Sequence, residues 1–237
     1  MNYAIILSGG TGSRMNMPGT IKQYVLVMDK PVLIYTLERF EKCPSIDCIV
    51  IVAAKEWREQ ISSWLSQFGI FKFSAFADPG IQRQSSILNG LKKCMELSES
   101  SNDVVIIHDA ARPLVSEDLI TNCLRTAMEF GGCMPVIRVS DTIYQSSNGT
   151  SIQGLLDRDS LFAGQSPEAF QLKQYYELNK SVSGKELNGY KGTSEIAIRH
   201  GIDVHIIPGE DGNFKITTQQ DLERFRLICK EKRGCTE

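Results

Sequence analysis

Two uninterrupted apolar runs, Cys48-Ile49-Val50-Ile51-Val52-Ala53 and Val104-Val105-Ile106-Ile107, constrain this chain more than any other feature. Each is β-branched, too short for a helix and without polar alternation. Such runs are strands covered on both faces. Tyr3–Leu7 reads the same way and ends in glycines. Between the strands lie segments of helical spacing: Val32–Phe40 through Leu33, Leu37 and Phe40; Glu56–Phe68 through Ile61, Trp64, Leu65 and Phe68; Ser85–Leu97 through Ile87, Leu91 and Cys94. Gly69 is placed to stop the second of these. Phe71–Ala77 reads as a further strand. Ser116–Phe130 reads as a helix with Ser116 at its N-cap and Glu117-Asp118 in its first turn, where the dipole favours negative charge. The alternation predicts an α/β fold: a Rossmann-like, mostly parallel twisted sheet with helices on both faces and right-handed crossovers. Ligands in such sheets bind beyond the carboxyl ends of the strands, which directs attention to the loops after Leu7 and Ile107.

The 237 residues are read as a single domain, 1–237. From Met134 onward the pattern changes. Val136–Val139, Thr142–Gln145 and Ser151–Leu155 look like strands, and Asn148-Gly149 between the last two is a hairpin signal. A β-arm at about 138–157, projecting from the core, is the expectation. Leu178–Thr193, polar and glycine-containing, reads as a mobile loop, and Thr217–Lys232 as a terminal helix capped by Thr217 or Thr218.

A net charge of −2 argues against a nucleic-acid binder, which needs a basic face. The seven cysteines are odd in number, form no C-x-x-C and mostly sit among apolar residues. Reduced thiols in a cytoplasm are expected. The apolar start has neither a basic flank nor a cleavage site. No apolar run approaches the roughly twenty residues that span a bilayer.

The loop Ser8-Gly9-Gly10-Thr11-Gly12-Ser13-Arg14-Met15 follows the first strand. It lacks the Gly-Lys-Ser/Thr of a P-loop, and Met15 stands where a dinucleotide fingerprint needs glycine. Its glycines would still let backbone N–H groups approach phosphate oxygens, and Arg14 and Lys22 would add charge. The same residues would also serve a plain strand-to-helix turn. His108-Asp109-Ala110-Ala111-Arg112-Pro113 ends the strand at Ile107. A carboxylate there is favoured to hold a magnesium ion bridging phosphates, the alternative being a turn cap paired with Arg112. His108, beside a buried strand, is assigned no chemistry. His200 and His205 lack a partner at zinc-ligand spacing and are read as structural.

Taken in order, the blocks Gly9–Met15, Lys22-Gln23-Tyr24, Gly80…Arg83…Ser86, His108–Pro113, Asp141-Thr142, Asp157-Arg158, Gly164-Gln165-Ser166-Pro167 and Asn213-Phe214-Lys215-Ile216-Thr217 resemble one family. This is the family of 2-C-methyl-D-erythritol 4-phosphate cytidylyltransferases and their ribitol-5-phosphate relatives. The likeness runs from Tyr3 to about Phe225. It implies an enzyme that joins CTP to a sugar-alcohol phosphate and releases pyrophosphate with Mg²⁺. It further implies that Arg14, Lys22 and Lys215 are catalytic cations. Ser8, Gly9, Gly10, Gly12, Gly80, Ser86 and the backbone near Ala110 would hold the nucleotide, and Asp109 the metal. Arg158 and Ser166 would hold the acceptor phosphate. Asp141 and Thr142 on the arm would reach a neighbouring subunit's site, making a homodimer functional. Two departures stand out. Ile81 replaces the acidic residue expected after Gly80, and Thr193-Ser194 replaces an expected Thr-Asp. The competing readings are a UTP- or GTP-dependent sugar-phosphate nucleotidyltransferase and a non-catalytic nucleotide-binding module of the same fold. Arg14, Lys22, Asp109, Arg158 and Lys215 together disfavour the module, which has no need of cations aimed at two substrates.

Overall fold

The computed structural model describes residues 1–10, 21–182, 184–187 and 189–234. In chain order the elements are β1 (Asn2–Leu7), β2 (Leu26–Val27), β3 (Lys30–Pro31), α1 (Val32–Lys42), β4 (Cys48–Val52), α2 (Lys55–Phe68), β5 (Phe73–Ala77), α3 (Arg83–Leu97), β6 (Val104–Asp109) and α4 (Glu117–Phe130). There follow β7 (Gly132–Arg138), β8 (Tyr144–Gln145), β9 (Gly154–Leu155), β10 (Phe162–Gly164), β11 (Glu168–Gln171), α5 (Leu172–Ser181), α6 (Gly184–Leu187), α7 (Thr193–Arg199), β12 (Val204–Pro208) and α8 (Gln219–Gly234).

The main sheet runs β10-β7-β11-β6-β1-β4-β5, with β12 paired to β7. β6, β1, β4 and β5 are parallel, as the apolar runs imply, whereas β11 enters antiparallel between β6 and β7. Alternation along β1 explains why its sequence shows no polar face. Ala4 and Ile6 join Leu33, Leu37, Phe40, Ile61, Leu119 and Leu124 on one side of the sheet. Tyr3 and Ile5 join Ile87, Leu91, Tyr175, Ile196 and Ala197 on the other. Both faces are buried, so every position must be apolar, and truncating such a residue to alanine costs about 2–5 kcal/mol. Gly69, at φ 68°, stops α2 in the left-handed region. Ser116 caps α4 by accepting from the Leu119 N–H at 3.0 Å. Thr218 caps α8 through the Asp221 N–H, while the Asp221 carboxylate accepts from the N–H groups of Thr217 and Thr218.

After residue 130 two expectations need correction and three strands were not foreseen. The segment read as a loop, Leu178–Thr193, instead contains the end of α5, the turn α6 and the start of α7. Leu187 and Tyr190 are buried against the second core, and that tertiary packing overrides the glycines and polar residues. The short strands β10, β11 and β12 had no reading from the sequence; sheet neighbours make them. The arm holds a two-stranded ribbon, Tyr144 opposite Leu155 and Gln145 opposite Gly154, apart from the main sheet. Its strands, two residues each, are shorter than the sequence pattern suggests, and Tyr144, Ile152 and Leu155 are exposed on this chain.

The six cysteines among the described residues carry free thiols, five of them buried as small core groups. No helix among the described residues is long and apolar enough to cross a membrane.

Candidate active site

The carboxyl ends of β1, β4 and β6 meet in one crevice, as the parallel order requires. The Ser8 N–H donates to Val52 O and the Ala110 N–H to Leu7 O, which ties the three strand ends together. Beyond them opens a cavity of about 410 Å³. Its lining includes Gly9 and Gly10, Lys22 and Gln23, Gly80 to Arg83, Ser86, Asp109, Ala111 and Lys215. The sequence spreads these residues over most of the chain, and the sheet topology brings them together.

The glycine loop is held from below. Gln23 is buried, and its amide donates to Ser8 O at 2.7 Å and Gly10 O at 2.8 Å. Tyr24 bonds the Ser8 hydroxyl and packs its ring 4.5 Å from Trp57 and 5.9 Å from Trp64 on α2. These contacts seat Lys22, one residue earlier, on the cavity wall. Glycine is obligatory at position 9, because a Cβ there would lie 2.6 Å from Pro79 Cβ. The opposite lip, Gly80 to Gln82, is shaped by Ser86, whose hydroxyl accepts from the Gly80 N–H and donates to Gln82 O. Ile81 stands exposed on that lip.

The floor is electrostatic. Asp109, at the end of β6, accepts from Lys215 Nζ at 2.9 Å. Arg83 lies 3.3 Å from its other oxygen and Arg112 3.6 Å away. Burial alone would raise the Asp109 carboxyl. Arg83, Lys215 and Arg112 overcome it and hold the group far below the usual carboxylate range. Lys215 arrives there because the segment around it is stitched to the loop after β6. Ile216 N–H donates to Ala111 O at 2.8 Å, Arg112 to Asn213 O at 2.6 Å, and Asn213 to Ser166 O at 2.8 Å. Ile216 itself is buried beside Ala111 and Phe225.

His108 lies under this floor, fully buried, with Nε2 at 3.0 Å from Arg112 O and Nδ1 at 3.2 Å from the Ser166 hydroxyl. A carbonyl only accepts, so Nε2 carries the proton and Nδ1 accepts. Burial pushes its pKa down to about 4. It is a neutral structural ring, in keeping with the absence of any chemical assignment. His200 meets the Tyr190 hydroxyl, and His205 stacks on Phe130 beside Asp203.

The sequence-predicted residues therefore divide. Gly9, Gly10, Lys22, Gly80, Ser86, Asp109 and Lys215 share the cavity. Gly12 and Arg14 lie outside the described residues. Ser8 is buried beneath the loop. Ala110 offers no backbone group to a base, since its N–H goes to Leu7 and its carbonyl accepts from Thr36; Ala111 is on the lining instead. Ser166 does not reach the cavity either: it is buried between the Asp109 N–H and His108 and supports the floor. Asp141, Thr142 and Arg158 are exposed on the arm, where Arg158 donates to Ser140 O at 3.0 Å, and none of them lines the cavity. Arg83 and Gln23 received no role from the sequence, and Arg112 entered only as the partner of Asp109 in the turn-cap alternative, the pairing seen at 3.6 Å. Each nevertheless lay inside a quoted block, which was the signal available.

Comparison with known proteins places this geometry among relatives. The family model described as "IspD: 2-C-methyl-D-erythritol 4-phosphate cytidylyltransferase" matches residues 2–231. A 2-C-methyl-D-erythritol 4-phosphate cytidylyltransferase of Geobacillus kaustophilus is 36% identical over 225 residues, 94% of each chain. A ribitol-5-phosphate cytidylyltransferase of Streptococcus agalactiae serotype Ia is 28% identical over 228 residues, 96% of this chain and 95% of the relative. The crystal structure of the Francisella tularensis 2-C-methyl-D-erythritol 4-phosphate cytidylyltransferase superposes with a TM-score of 0.78 at 26% identity, covering 95% of this chain and 98% of the other.

Proposed function

This chain belongs to the 2-C-methyl-D-erythritol 4-phosphate cytidylyltransferase family, and from that premise we propose that it transfers CMP from CTP to a short-chain polyol phosphate and releases pyrophosphate. The acceptor class is the one its relatives' names share, ribitol 5-phosphate or 2-C-methyl-D-erythritol 4-phosphate. The observation that carries the reading is the cation-ringed Asp109 floor of a glycine-walled cavity, with Lys22 and Lys215 on one lining.

In the reaction, an oxygen of the acceptor phosphate attacks the α-phosphorus of CTP. The bond from that phosphorus to the α,β-bridging oxygen breaks, and pyrophosphate departs with the electron pair. No general base is required, because a phosphate monoester, with a second pKa of about 6, is largely dianionic near neutrality. The difficulty is bringing two polyanions into line, and fixed cations serve that purpose. Lys22 neutralises the triphosphate beside Gly9 and Gly10, together with Arg14. Lys215 moves between Asp109 and the reacting phosphates. Mg²⁺ fits the donor set: Asp109 is the only carboxylate lining the cavity among the described residues, and this ion binds through one or two carboxylates plus substrate phosphates. Asp109 would hold it, and the ion would supply charge neutralisation to the phosphate oxygens. The Gly80 to Gln82 lip faces the base through its backbone and the Ile81 side chain. The arm residues Asp141, Thr142 and Arg158 are proposed to complete the acceptor end of a second copy's site in a homodimer. The buried free thiols support a cytoplasmic setting.

The test is a pyrophosphate-release assay crossing CTP, UTP and GTP with ribitol 5-phosphate, methylerythritol phosphate and glycerol phosphate, with and without chelator. Release confined to CTP with a polyol phosphate and dependent on Mg²⁺ is expected. Equal release from UTP or GTP would remove the cytidylyl assignment, silence in every well would favour a binding module, and full activity in excess chelator would remove the metal.

A further inference from the structure

Behind the cavity wall lies a carboxyl group that the proposed chemistry does not use. Glu168, the first residue of β11, is buried, yet no apolar role explains it. Its Oε2 accepts from the Ser194 N–H at 3.0 Å and from the Ser194 hydroxyl at 2.5 Å, and its Oε1 lies 3.9 Å from Arg83 Nη2. Arg83 is the bridge to the cavity. Its Nη1 donates to the Thr193 hydroxyl at 2.7 Å, its Nη2 to Asp109 at 3.3 Å, and its side chain is on the lining. The Tyr175 hydroxyl fixes Thr193 O from the other side at 2.8 Å. One buried carboxylate thus holds both a cavity arginine and the first turn of α7.

The same spot is where the sequence lacks an expected acid. Position 194 carries serine instead of aspartate, and the structure fills that gap from another strand: the Glu168 carboxylate sits on the backbone and side chain of residue 194. Burial pushes the Glu168 carboxyl up, while Arg83 and the Ser194 and Thr193 bonds draw it back toward ionisation. A buried carboxylate without those partners would be strongly unfavourable.

We propose that Glu168 is a positioning residue for the acceptor end of the site, supplying from β11 the negative charge that fixes Arg83 and the start of α7. The inference rests on the cytidylyltransferase reading. Under that reading the base lies at the Gly80 to Gln82 lip and the triphosphate at the glycine loop and Lys22. The wall formed by Arg83 and Lys215, beside the metal-holding Asp109, is then left for the incoming phosphate and its polyol. Displacing Arg83 therefore disturbs acceptor binding before nucleotide binding.

Moving the charge tests this. In Glu168→Gln the amide turns a donor toward Arg83. In Ser194→Asp two carboxylates compete for one buried position. In the double variant a single carboxylate faces an amide and Arg83 again. Steady-state kinetics with CTP and acceptor varied separately should show acceptor KM raised about tenfold in each single variant, with CTP KM changed less than about twofold. The double variant should return to within about threefold of the parent, a coupling that independent sites do not show. Melting temperatures of all four proteins run in parallel. Losses in the single variants that the double variant recovers report the clamp without any turnover.

An unchanged acceptor KM in folded Glu168→Gln would overturn the proposal, as would a double variant as impaired as the two singles combined. An inactive parent would instead overturn the proposed activity, and the melting cycle would then judge the clamp alone.

Discussion

The Asp109 floor and the β8–β9 arm hold comparable polar residues under opposite physical conditions. Around Asp109, every charged group is tied to partners far away in sequence: Lys215 from the segment before α8, Arg83 from α3, Asn213 and Ser166 from below. On the arm, hydrogen bonds are local. Asn148 bonds Ser151, Gln153 bonds Ser147, and Arg158 reaches only to Ser140. The floor is preorganised within a single chain. The arm presents Asp141, Thr142 and Arg158 to solvent, beside exposed Tyr144, Ile152 and Leu155. Such residues contribute to a site only by meeting another surface. Large apolar side chains exposed on a ribbon apart from the main sheet are a feature of interaction faces.

The contrast can be broken most sharply at the floor. Lys215→Ala removes a cation from the reacting phosphates and leaves Asp109 short of a partner. Turnover is expected to fall about 10²–10³-fold, some 3–4 kcal/mol of transition-state stabilisation. A kcat within about threefold of the parent would show that the floor is structural and carries no catalysis.

Next in size is a pH effect that only the buried region should show. His108 is held neutral, with its pKa down at about 4 against an ordinary 6.5. The unfolded chain therefore binds more protons between those values. Stability from this group is complete above pH 6.5 and is lost as pH falls toward 4, by about 3 kcal/mol at most. Glu168, shifted upward, works in the opposite sense over the acid part of the range and blunts the total. Denaturant midpoints measured from pH 7 to pH 4.5 should fall less steeply for His108→Asn than for the parent. Identical slopes would remove His108 as the source.

The arm supplies the third test. Arg158→Ala is expected to raise acceptor KM about tenfold, the worth of one charge-assisted hydrogen bond, with stability unchanged. Mixing it with Lys215→Ala decides how the two regions cooperate. If the arm serves a partner's cavity, mixed dimers regain one intact site and activity rises above the sum of the separate variants. No regain would confine Arg158 to its own protomer or remove it from catalysis.

The sheet from β1 to β6 was readable because its signal is local. Continuous β-branched runs state that both faces are covered, and helical spacing in Leu33, Leu37 and Phe40 states which face packs. The glycine loop, Asp109 and Lys215 were readable as blocks, each carrying its own chemistry. The short strands and helices between Leu161 and Pro208 were not, although the terminal helix expected at Thr217–Lys232 is found at Gln219–Gly234. β11 is Glu168-Ala-Phe-Gln, with a charged residue buried at its head, and no pattern of alternation announces a strand whose place comes from β6 and β7 on either side.

Residue order alone specified an α/β core, the ends of the strands as the place for a ligand, and Lys22, Lys215 and Asp109 among the groups that gather there. It took the folded chain to place Ser166 and Ala110 under the floor, Arg83 and Ala111 on the cavity lining, and the Glu168 carboxylate against Ser194. The reason is physical. A residue's type fixes what it can bond, but burial and the nearest donors fix what it does bond, and both are set by segments distant along the chain.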